Sequence, residues 1–154
     1  MAEDTLSLAK AALVGELELQ RDAVRQLAAP LSEEEFWRRP LDPGNSVGHL
    51  VLHLTGNLEW MVGAKLGSTG YVRDREREFT ETAVPAKAVA LAKLDEAVAT
   101  FRRVVESLDA ARLAAPHPEA RLGLVLPALV HLVGHFAIHR GQMTYIARLV
   151  KPRP

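Results

Sequence analysis

The stretch SVGHLVLHLTGNLEW, residues 46–60, decides the fold class. Its apolar residues Val47, Leu50, Val51, Leu54 and Leu58 recur at intervals of three and four, which is the spacing of one helix face and not of a strand. The stretch also carries His49 and His53. A second stretch, HLVGHFAIHRGQM at residues 131–143, is equally helical and holds His131, His135 and His139, so five of the six histidines fall in two short apolar segments. A helix advances about 100° and about 1.5 Å per residue, which puts His135 and His139 one turn apart on one face, offset by about 40°. Two imidazoles so placed can share a metal. A third ligand from another helix would complete a three-histidine site with positions left open for water or substrate.

Working outward, Asn45 or Ser46 caps the helix of the first stretch, which extends to about Lys65 with Met61 on its buried side and ends over residues 67–70. Upstream, Leu6, Leu13, Leu17, Val24 and Leu27 predict a helix from Asp4 or Thr5 to about Ala28, stopped by Pro30. Ser32 and Glu35 read as a capping box for a short helical turn, followed by a loop at residues 39–45. Downstream, YVRDREREFTET at residues 71–82 is too charged for a core element and reads as a surface crossover or lid. Pro85 suits the first turn of a third helix through Val89, Leu91, Leu94, Val98, Phe101, Val105 and Leu108. Residues 109–123 connect it to a fourth helix, with Pro127 in its first turn, that reaches about Val150 before Pro152 and Pro154 close the chain. Four long helices without an alternating strand pattern predict an all-α four-helix bundle, one domain over residues 1–154. The long connections at residues 67–84 and 109–125 permit crossovers.

Composition narrows the function classes. Apolar residues make up 48% of the 154, and 19 basic side chains balance 19 acidic ones, so no electrostatic footprint for nucleic acid is present. Without cysteine there is no disulfide framework, thiolate ligand or protein thiol nucleophile, and histidine is left as the main soft ligand. Neither a signal peptide pattern nor a run of about 20 apolar residues occurs, which predicts a cytoplasmic protein that does not span a membrane.

The pair His135 and His139 needs a third ligand. His53, among Leu50, Leu52 and Leu54, is a good candidate, because a buried imidazole must find a metal or a hydrogen-bond partner. The spacing also permits other triads, such as His49 with His131 and His135. His117, between Pro116 and Pro118, reads as an exposed loop residue without a role. Phe136 follows His135, so the glutamate of a thermolysin-like HExxH motif is missing. Asn57, Trp60 and Gln142 sit where they could orient water or substrate, or serve as buried polar residues. Arg73, Asp74 and Arg75 either hold an anionic substrate or form a solvated charge run.

At these residues the chain resembles the DinB-like superfamily of metal-dependent enzymes, in particular the branch with an N-S-I-G-N-L-x-L-H-L-x-G-N segment. The corresponding stretch runs Asn45-Ser46-Val47-Gly48-His49-Leu50-Val51-Leu52-His53-Leu54-Thr55-Gly56-Asn57. A D-x-R-D-R-x-x-E-F-like crossover is matched around Arg73, Asp74, Arg75, Glu78 and Phe79, and an E-H-F-x-x-H-x-G-Q segment by residues 134–142. The resemblance implies a four-helix bundle with a divalent metal, zinc or nickel, on His53, His135 and His139. It makes His49 an extra, where the family pattern has asparagine, and Gly134 a departure from the glutamate often found there. Relatives with known activity resemble thiol-dependent transferases and isomerases that use a low-molecular-weight thiol such as bacillithiol or mycothiol, which implies transfer to a small electrophile. Arg73, Arg75, Asn57 and Gln142 are then candidates for contacting thiol or substrate, and a homodimer is expected. Two other readings keep the histidines: hydrolysis through metal-activated water, and a non-catalytic dimeric bundle that binds metal for structure or sensing.

Overall fold

The computed structural model describes residues 2–151; Pro152 and Pro154 lie outside the described residues. Helix α1, Ala2–Ala28, begins slightly earlier than its apolar pattern predicts and ends at Ala28 as expected. Its Leu17 and Val24 are fully buried, and Leu6, Leu13 and Leu27 are partly buried against the core. Helix α2, Glu33–Trp37, carries the predicted capping box. The Ser32 N–H donates to the Glu35 carboxylate at 2.8 Å, and the Glu35 N–H donates to Ser32 Oγ at 3.1 Å.

Helix α3, Val47–Leu58, starts at a Ser46 cap and runs into a π-helical turn, Glu59–Ala64, then into α4, Lys65–Gly67. The expected second helix is therefore one rod interrupted by a wider turn. All six of its expected core residues are buried, Met61 inside the π turn included. The π turn follows directly on Asn57 and Leu58, a placement common beside functional sites.

The crossover departs from its reading as a purely superficial segment. It contains α5, Arg77–Thr80, and buries Glu78. Helix α6, Lys87–Ser107, is capped by Ala86, so Pro85 precedes the helix instead of opening it. The cause is tertiary: the Lys87 N–H donates to a carboxylate oxygen of Glu33 at 2.7 Å, which fixes where the first free amide lies. Val89, expected inside, is exposed, while Leu91, Leu94, Val98, Phe101, Val105 and Leu108 are buried. Helix α7, Ala110–Ala114, and a 3-10 turn, Ala120–Leu122, lead to α8, Val125–Val150, with Pro127 in its first turn.

Among the described residues no strand forms beyond an isolated bridge between Pro116 and Leu124. The four long helices pack principally as α1 on α6 and α8, and α3 on α6 and α8. Helices consecutive in sequence, α1 with α3 and α6 with α8, therefore sit across the bundle; residues 29–46 and 108–124 make the two diagonal crossings, while residues 68–86 join the neighbours α3 and α6. This order brings His53 on α3 against the histidines of α8. Among the described residues no helix is long and apolar enough to cross a membrane.

Candidate metal centre

His53 is held on the inner face of α3, and its Nε2 lies 3.4 Å from His135 Nε2 on α8. His139, one turn further along, brings its own Nε2 to 3.0 Å from that of His135. Among the described residues these three form the one cluster suited to a metal, with ligand atoms all within 4.8 Å of one another. Two nitrogens each about 2.0–2.1 Å from one ion, at 90–109°, lie about 2.8–3.4 Å apart, which matches both separations.

Protonation supports the same fit. The Nδ1–H of His53 donates to Glu78 Oε2 at 2.9 Å, and that of His139 donates to Gln142 Oε1 at 2.7 Å. With the proton on Nδ1, each ring turns a bare Nε2 lone pair inward. Two lone pairs then face His135 Nε2, which has one proton at most to offer. A cation resolves this arrangement; a set of neutral imidazoles leaves one acceptor unmet. Burial, together with the neighbouring His139, His53 and His131 and the Arg73 charge, pushes His135 down to about 4. Burial also lowers His139, against the hydrogen bond to Gln142. Neutral rings are the ligating form.

Glu78 is the residue that sequence reading missed. It is only 7% exposed, and its carboxylate takes a forked pair of hydrogen bonds from Arg73, Nε to Oε1 at 2.6 Å and Nη2 to Oε2 at 2.8 Å. Burial pushes its carboxyl up, but the bonds from Arg73 and His53 outweigh burial and hold it below the usual carboxylate range. Gly56 makes room for this: a Cβ there would overlap Glu78 Oε1 and stand 2.9 Å from its Cδ. Within the charged run, Phe79 was the available signal, because an aromatic side chain beside a glutamate marks where the run turns inward. The Phe79 ring packs 4.8 Å from that of His53.

The three imidazoles lie in a cavity of ≈ 320 Å³ whose wall also includes Asn57, Arg73, Arg75, Arg121, His131 and Gln142. All four residues proposed from sequence for thiol or substrate contact thus reach it. Arg73 is tied to Glu78 and Gln142 to His139, while Asn57 is buried and Arg75 lies over the Phe79 ring with 5.6 Å between guanidinium and centroid.

A family model described as mycothiol-S-transferase matches residues 12–150. The chain belongs to this DinB-like family. A search of curated proteins gave no match. Among solved structures, a conserved protein from Enterococcus faecalis superposes with a TM-score of 0.74 at 17% identity, covering 90% of this chain and 95% of that one. YfiT from Bacillus subtilis, described as a probable metal-dependent hydrolase with an unusual four-helix bundle topology, gives 0.71 at 18% identity, covering 90% and 86%. At these identities the likeness establishes the fold, and the diagonal helix order agrees with a bundle of unusual topology.

In this mycothiol-S-transferase family chain the remaining histidines stand apart from the cluster. His49 is a structural hub: Ser46 Oγ donates to its Nδ1 at 2.6 Å, and its Nε2–H donates to the Glu81 carbonyl at 3.1 Å, tying the crossover to the start of α3. Both nitrogens are spent, so the alternative triad of His49, His131 and His135 does not assemble. His131 stacks on His135 with centroids 6.2 Å apart and stays exposed at the cavity wall. His117 corrects its reading as an exposed residue without a role. It is 3% exposed, donates from Nε2 to the Met61 carbonyl at 3.0 Å and accepts at Nδ1 from the Glu119 N–H at 2.9 Å. Flanking prolines suggested an open loop, but they stiffen one that folds back onto the π turn.

Proposed function

We propose that this protein is a metal-dependent S-transferase that joins a low-molecular-weight thiol, mycothiol by family, to a small electrophile. The observation that carries the reading is the convergence of three Nε2 atoms, with two of the rings locked by Glu78 and Gln142, on a cavity in a chain that has no thiol of its own. His53, His135 and His139 are the proposed ligands of one divalent cation, zinc or nickel. The cation's chemistry is to favour thiolate over thiol at neutral pH. Sulfur then forms its bond to the electrophile's carbon, the leaving group departs with its electron pair, and the thiol proton passes to solvent.

The chain's own residues bind and orient. Glu78 keeps the proton of His53 on Nδ1 and Gln142 keeps that of His139, so neither ring rotates away. Asn57 supplies a polar contact for the thiol's carrier, while Met61, Leu132 and Phe79 give the cavity an apolar side that limits water. Hydrolysis, the activity attributed to YfiT, would need a base to take a proton from water. Among the described residues no Asp or Glu lines the cavity, and Glu78 lies behind His53, committed to Arg73, so the base for hydrolysis would fall to His131. A non-catalytic structural site would be coordinatively closed, whereas three histidines leave positions open.

The deciding experiment measures conjugation of mycothiol to a chromogenic aryl chloride by protein loaded with zinc or nickel. Turnover should vanish in a His53→Ala, His139→Ala double variant that remains helical by circular dichroism. Undiminished turnover in that variant would sink the reading.

A further inference from the structure

The crossover divides its charges unevenly. Its acids Asp74, Glu78 and Glu81 line a second cavity on the other side of α3, where Glu59 and Glu96 join them and five acids face the two bases Arg77 and Lys93. Its arginines Arg73 and Arg75 line the metal cavity, where Arg121 joins them from the 3-10 turn, Ala120–Leu122. The metal cavity thus holds three guanidinium groups and no carboxylate among its lining residues. A net charge of zero for the chain hides this separation.

The three arginines are not equivalent. Arg73 is neutralised by Glu78 and is 7% exposed at its side chain. Arg75 and Arg121 have no acidic partner among the described residues; Arg75 is braced only by the Phe79 ring. The acid nearest Arg121 in sequence, Glu119, is drawn away to Lys65 at 3.3 Å. His117 holds this connection down on the Met61 carbonyl, which fixes the turn that presents Arg121. His131 lines the cavity beside them.

We propose that Arg75 and Arg121, with His131, form an anion site in the metal cavity, which selects electrophiles carrying an anionic oxygen group such as a carboxylate. The inference rests on the transferase reading and adds its substrate class. Two guanidinium forks from separate connections can each give a carboxylate paired N–H donors, and His131 adds a third donor or acceptor. The cavity, ≈ 320 Å³, suits a small molecule with its reacting carbon near the histidines and its anionic end at the arginines.

A matched pair of probes tests this. 4-Chloro-3-nitrobenzoate and 4-chloro-3-nitrobenzamide both react by forming a carbon–sulfur bond and releasing chloride, and they differ in charge. The metal-loaded protein should show a kcat/KM ratio of carboxylate to amide at least about tenfold above that of the uncatalysed reaction with the same thiol. An Arg75→Gln, Arg121→Gln variant should bring that ratio to the uncatalysed value, chiefly through KM. Calorimetry with the unreactive pair 4-amino-3-nitrobenzoate and 4-amino-3-nitrobenzamide gives a readout independent of turnover. Arginine-dependent preference for the carboxylate without any turnover would leave the anion site standing and remove the transferase reading. Turnover with an equal preference in wild type and variant, or binding through the metal that the arginine substitutions leave intact, would overturn the anion site alone.

Discussion

Glu78 supports the proposed metal centre from behind. Its carboxylate fixes the tautomer and plane of His53 and is itself fixed by the Arg73 fork. Glu78→Gln keeps the shape and one acceptor but loses the charge, so the carboxamide cannot satisfy both His53 and Arg73 as before. Removing such a partner of a ligating histidine typically weakens metal binding about 10- to 100-fold. Competition titration of zinc against a chromophoric chelator should therefore show affinity reduced within that range, with helicity retained. Unchanged affinity would mean that His53 needs no such support. The contrast with the three clustered histidines shows what sequence exposes. His135 and His139 are legible because a four-residue interval on a helix fixes their relation, and His53 because it stands in an apolar run. Glu78 was hidden, because whether a glutamate in a charged run turns inward depends on a space left by Gly56 on another element.

Helix starts governed by local chemistry were readable, as with the Ser32 and Glu35 capping box and the Ser46 cap. The start of α6 was not, because a carboxylate from α2 determines it. The connection between α7 and α8 shows the same dependence on partners distant in sequence. His117 bridges the Met61 carbonyl and the Glu119 amide from a buried position. His117→Ala leaves both groups without that partner, at a cost of about 1–3 kcal/mol. For a chain of this length that is a fall in Tm of roughly 2–4 °C per kcal/mol. Differential scanning calorimetry should record it, while metal content stays at the wild-type level because the ligands sit on α3 and α8. A variant with unaltered Tm would return His117 to the role of a passive loop residue.

At the scale of the molecule, the periodicities specified four helices but not their order, which depends on which faces meet once the connections cross. Stability follows from the same packing. Burial lowers His49, His117, His135 and His139 from the ordinary imidazole value of 6.5, so the folded chain binds fewer protons than the unfolded one just below that pH. Stability from these groups is present above about pH 6.5 and is lost as pH falls toward the folded values, with Glu78 adding a loss below its own ordinary range. Metal-free protein should then have a higher urea midpoint at pH 8 than at pH 5.5, and equal midpoints would contradict the assignment. Packing also leaves one face of α8 uncovered. Val130, Ile138, Tyr145 and Leu149 are more than half exposed on it, and a Cβ at Gly134 or Gly141 would meet nothing within 4 Å. From Leu126 to Ile138 this helix has no acidic or basic residue other than histidine, so that half of the face meets a second copy without like-charge repulsion, while exposed Arg148 charges the half with Tyr145 and Leu149. We propose a homodimer through this face. Light scattering after size exclusion should give twice the chain mass for the wild type and the single chain mass for an Ile138→Asp, Tyr145→Asp variant. That variant should still hold its metal, since the ligands lie on the opposite, inward side of α8; a monomeric wild type at micromolar concentration would refute the dimer.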